Sequence, residues 1–133
     1  MATKKKAARK KATTRRTARR PRDPYLRLTV DTLMALDDAI ALLRGRLMVA
    51  TGDERRTINA ELPELEADRA KVNARFLAYV SGRLAVQPPT DADLRKVAGL
   101  VKNLDQMIAD ATVASTVLDV ATKILKLYSK TVQ

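Results

Sequence analysis

The sequence predicts an all-α protein: an antiparallel bundle of three long helices, the second kinked near Pro63, behind a disordered basic N-terminal arm. Three observations predict it. Apolar residues recur at spacings of three and four along most of the chain beyond residue 23. Aromatic residues make up only 3% of the sequence, so a core must be assembled from Leu, Val, Ile and Ala, which suits packed helices better than a sandwich or barrel. The net charge of +11 is confined to one end.

The arm comprises residues 1–22 and is built from Lys, Arg, Ala and Thr with Pro21 near its end. Its cations are Lys4, Lys5, Lys6, Arg9, Lys10, Lys11, Arg15, Arg16, Arg19, Arg20 and Arg22, and it holds no acid. Setting those 11 aside from the 26 basic residues leaves 15 against 15 acidic ones, so residues 23–133 are balanced. With nothing apolar to bury and dense like-charge repulsion, such a segment cannot offset the entropy of ordering and is expected to be disordered when free.

Asp23-Pro24 reads as a helix start, Asp as N-cap and Pro at the first helical position. The stripe Leu26, Val30, Leu33, Leu36, Ile40, Leu43 and Leu47 follows, and Gly52 is the expected stop, giving a first helix over about 24–51. The second helix, about 54–86, opens on Asp53 and Glu54, acids that suit the positive end of the helix dipole. Its stripe is Ile58, Leu62, Leu65, Val72, Phe76, Tyr79 and Leu84. Pro63 predicts a kink or a separate short helix before it, since it cannot donate to the preceding turn. Arg69 stands where the stripe wants an apolar residue, which predicts a polar contact or a shift of phase. The stop is placed before Pro88-Pro89.

Thr90 with Asp93 three residues on is a near capping box and the clearest start. From there a seam of Leu94, Val97, Val101, Leu104, Ile108, Ala111, Ser115, Leu118, Thr122 and Leu125 predicts one helix over about 91–130. A second stripe runs beside it: Val113, Val117, Val120, Ile124 and Leu127. Two stripes mean a wider buried surface. Either this helix packs between the other two, or its C-terminal half is an oligomer interface.

Catalysis finds no footing in this chain. There is no His and no Cys, which removes the commonest general base, the thiol nucleophile, and the usual zinc and haem ligands. Asp37 and Asp38 are adjacent and diverge by about 100° on a helix. Glu61, Glu64 and Asp68 share a face and could hold a hard cation weakly, though such clusters are mostly solvated helix surface. The four glycines form no phosphate-cradling loop, and Tyr25, Tyr79 and Tyr128 have apolar neighbours at helical spacing, which suits core or staple roles. No metal, cofactor or catalytic residue is expected.

The arm, by contrast, suits a polyanion. In composition it resembles the Lys/Ala-rich tails of histone-like and other nucleoid-associated bacterial proteins, a likeness confined to 22 of the 133 residues. Phosphate contacts made by such a tail give salt-steep binding without sequence readout, and no aromatics are interleaved to stack on bases. The expectation is a non-enzymatic, sequence-nonspecific nucleic-acid-associated architectural protein with a helical, oligomerising body. The alternative is a structural or assembly subunit whose arm docks on an acidic protein or on packaged nucleic acid. A targeting or membrane-surface arm is a third reading, weakened because it has no apolar anchor. No signal peptide or membrane span is apparent, and the Leu or Phe face of a mitochondrial presequence is missing, so a cytoplasmic or nucleoid-associated location is expected.

Overall fold

The computed structural model describes residues 23–132. Within them the protein is all-helical, with four helices: α1 Pro24–Leu47, α2 Gly52–Val80, α3 Asp91–Asp105 and α4 Ala114–Ser129. The arm, and with it the expectation of disorder, lies outside the described residues.

α1 starts as its sequence dictates. The Asp23 carboxylate accepts from the backbone N–H of Tyr25 at 2.8 Å and of Leu26 at 3.3 Å, with Pro24 at the first helical position. It is the central helix, in contact with the other three, whereas α2 and α3 do not touch. Its buried residues therefore spread over about half its circumference at 100° per residue: Tyr25, Leu28, Thr29, Asp31, Thr32, Ala35, Leu36, Ala39, Ile40 and Leu43. Leu26 and Leu33 of the apolar stripe are only partly buried at the edge of this arc, and Leu47 is partly buried in the last turn. The Thr29 and Thr32 hydroxyls are satisfied inside the core by donating to the carbonyls of Tyr25 (2.8 Å) and Leu28 (2.7 Å).

α2 runs antiparallel to α1, and a ladder of polar pairs sets the register. Arg46 meets Glu54, Arg44 meets Glu66, Asp37 meets Arg69, and Asp23 accepts from the Tyr79 hydroxyl. Arg69 thus interrupts the apolar stripe to pair with α1. The helix is continuous through Pro63, which is exposed, so no separate short helix precedes it. It also ends at Val80, six residues before the expected 86. Gly82 takes a left-handed φ of 74°. Its N–H donates to the Tyr79 carbonyl at 3.0 Å while that of Arg83 donates to Ala78 at 2.8 Å, the paired bonds of a Schellman stop. Space is open around Gly82, so Gly82→Ala meets only backbone strain. A loss of about 1 kcal/mol is expected, read as a lower urea midpoint with unchanged slope.

The largest correction concerns the third helix. The stretch 91–130 is two helices, and the bundle has four members where three were expected. α3 ends at Asp105, and the chain turns through residues 106–113. This connector is held by α1 and α2: Arg46 donates to the Asp110 carbonyl at 2.7 Å, and Glu54 accepts from the Ala114 N–H at 2.8 Å. Glu54 thereby supplies the cap that Val113 cannot, Val113 making no side-chain cap bond. Lys130 of the C-terminal turn reaches Asp93 at 3.5 Å, and the Tyr128 hydroxyl reaches that of Tyr25 at 2.8 Å, so α4 runs back along α3 and α1. An unbroken 40-residue helix would extend about 60 Å, well beyond the roughly 36 Å of α1. Folding back places both halves against the central helix.

Candidate functional site

The eleven cations of the arm, Lys4 through Arg22, lie outside the described residues. The described residues begin at Asp23, where the arm joins the body. That residue sits at the end of the bundle where three tyrosines gather. The Tyr25 and Tyr79 rings are 4.5 Å apart between centroids, and those of Tyr25 and Tyr128 6.1 Å. Burial, then the hydrogen bond to Tyr25, pushes the Tyr128 hydroxyl above the usual tyrosine range, and the bond to Asp23 raises that of Tyr79. Both remain neutral at physiological pH. This cluster pins the ends of α1, α2 and α4 together beside Asp23, the first described residue.

Of the five residues expected at an oligomer interface, three are interior. Val117 (1% exposed), Val120 (7%) and Ile124 (0%) pack in the core of the single chain. The doubled stripe has a simple origin. Leu94, Val97, Val101 and Leu104 form the buried face of α3, while Val117, Val120, Ile124 and Tyr128 form that of α4. Ile108, at 64% exposed, and the exposed Ala111, Ser115 and Thr122 show that the continuous seam does not cross the break. Only Val113, exposed, and Leu127, partly buried, reach the surface.

Charges on the body balance in number, and some of them pair. Besides the α1–α2 ladder, Arg56 pairs with Asp53, and Lys123 with Asp119 at 3.1 Å. These exposed pairs contribute little stability each. Among the described residues no group of three or more acidic side chains is placed to hold a metal ion, Glu61, Glu64 and Asp68 included. No described helix is long and apolar enough to cross a membrane.

Asp37 and Asp38 diverge as their adjacency requires. Asp37 turns to Arg69 on α2, and Asp38 hydrogen-bonds Asp105 at the end of α3. Burial pushes the Asp38 carboxyl up to about 6, helped by that hydrogen bond and by the charges of Asp105 and Asp37. The folded state holds this proton more tightly than the unfolded state, whose carboxyl titrates at 3.8. The associated stability is present below that value and is lost as pH rises through about 6. Asp38→Asn is therefore expected to raise the melting temperature at pH 7 by a few degrees and leave it unchanged near pH 4. For this half-buried site the gain is less than about 1 kcal/mol. Thermal melts of both proteins across pH 4–7 check it.

No family model, curated protein or solved structure matches the chain.

Proposed function

We propose that the protein is a non-enzymatic, sequence-nonspecific nucleic-acid-associated architectural protein that grips phosphate backbone through its N-terminal arm. One observation carries this reading: residues 1–22 hold eleven cations and no acid, while the rest of the chain is balanced at 15 against 15. Lys and Arg neutralise phosphates and release counterions, contacts that carry no base readout. The folded body joins the arm at Asp23, beside the tyrosine cluster. Recognition and folding therefore reside in separate parts of the chain.

The test compares the full chain with a variant carrying Gln at all eleven arm positions, titrated with labelled duplex DNA and RNA over a salt series. If half the charges engage at once, log affinity against log salt has a slope of about −5 and is indifferent to sequence. The Gln variant loses this binding with an unchanged melting temperature. Failure of the full chain to bind either duplex at about 50 mM salt sinks the proposal.

A second reading, a structural or assembly subunit whose arm docks on an acidic partner or packaged nucleic acid, is favoured by a different observation. Met48 (86% exposed), Val49, Ile108 and Val113 are exposed apolar side chains at the end of the bundle opposite the arm. Such residues are suited to homo-oligomer contacts.

A further inference from the structure

α3 and α4 do not close on each other along their outer faces. Between them lies an open groove of about 570 Å³. Its floor is Leu100 and Leu127, both partly buried, together with Gly99, whose missing side chain leaves the α3 wall low. Its lips are cationic on both sides: Arg95 and Lys96 from α3, Lys123 and Lys126 from α4, all exposed. Arg95, Lys96 and Lys126 enter none of the ion pairs among the described residues, and Lys123 is shared with Asp119. Four cations thus line one apolar trough on a body whose 15 basic and 15 acidic residues balance overall.

We propose that this groove is the docking site for an acidic amphipathic helix of a partner protein. An amphipathic helix lays apolar residues at i, i+3 or i+4, and i+7 into a trough between two helices, and its flanking residues then face the lips. Here the lips call for Glu and Asp on both sides of that stripe, where charge complementarity sets orientation and rejects other partners. The chain's own arm is excluded as occupant because it carries the same sign as the lips. A nucleic-acid backbone would satisfy the cations but leave Leu100 and Leu127 against phosphate and sugar, with no aromatic to stack on a base. The groove is thus a second binding surface, opposite in preference to the arm only in what it adds to charge: it reads an apolar stripe.

The probe is an 18-residue helical peptide with Leu at i, i+3, i+7, i+10 and i+14 and Glu flanking that stripe. A scrambled peptide of identical composition has the stripe dispersed. The full chain is titrated with each by fluorescence anisotropy. The arm attracts both peptides equally, whereas the groove prefers the amphipathic one by about tenfold or more. Gly99→Phe fills the trough, and because a Cβ at Gly99 meets nothing within 4 Å the fold tolerates it. That variant and Lys123→Glu/Lys126→Glu are each expected to abolish the preference while leaving arm-dependent DNA binding intact. Equal affinity for the two peptides, or a preference that survives Gly99→Phe in a protein with native circular dichroism, overturns the proposal. So does a loss of duplex DNA or anionic-vesicle binding in the Gly99 variant, which would assign the groove to nucleic acid or lipid instead. These outcomes are independent of the arm's own salt-dependent binding, which the Gln-substituted arm tests separately.

Discussion

Ile124→Asp and Val117→Asp, made singly, are each expected to unfold the protein rather than dissociate an assembly. Ile124 is fully buried and Val117 is 1% exposed, both on the buried face of α4. An aspartate there loses the transfer free energy of the apolar side chain and strands a carboxylate without a cation. The combined cost is about 4 kcal/mol or more. A domain of this size has about 5–15 kcal/mol in total. The expected result is loss of the cooperative thermal transition, or a melting temperature lower by at least about 15 °C, at every protein concentration. A folded, monomeric Ile124→Asp protein with a native melt would show that the α4 stripe serves an interface and not the core.

Gly45→Leu has the next largest expected effect. A Cβ at Gly45 would lie 2.7 Å from the Cβ of Ala109, in the connector between α3 and α4. A Cβ is fixed by its backbone and cannot rotate away, so backbone must move, and the connector must slide off α1. Replacing a helix-interior glycine gains about 1 kcal/mol of helix propensity. Overpacking at a backbone contact costs about 3 kcal/mol when a branched side chain follows the Cβ. The clash wins, for a net loss of about 2 kcal/mol. Hydrogen exchange should quicken first in residues 106–113, as Arg46 loses the Asp110 carbonyl and Glu54 loses the Ala114 N–H. Ala109→Gly should recover part of the loss in the double variant. No recovery, or no destabilisation by Gly45→Leu, would show that the connector is not held against α1.

How much of this was legible in advance depended on the range of the interaction concerned. Helix starts are local, and the two strongest were readable from a few residues: Asp23-Pro24, and Thr90, whose hydroxyl accepts from the Asp93 N–H at 3.1 Å. Arg69 was legible as a polar interruption, though not its partner Asp37, 32 positions away. Gly82 is a local stop signal, but the apolar pattern continuing to Leu84 and the stronger break at Pro88-Pro89 mask it. The connector at 106–113 had no strong local mark. It contains no proline or glycine, and the cap for the helix that follows comes from Glu54, 60 residues earlier. Nothing in the neighbourhood of Val113 announces a helix start when its capping group belongs to another helix.

The same distinction divides the molecule as a whole. From the sequence by itself came the all-helical class and the separation of a wholly cationic arm from a charge-balanced body, because periodicity, caps and charge are properties of neighbouring residues. Tertiary structure alone decided that the third helix is two, that Val117, Val120 and Ile124 are core, and that an apolar trough with cationic lips opens between α3 and α4. Two adjacent stripes on a single helix and two buried faces on successive helices have the same spacing when written as a line. Only the length of α1, and the reach of Arg46 and Glu54 across to the connector, make folding back the arrangement that buries both.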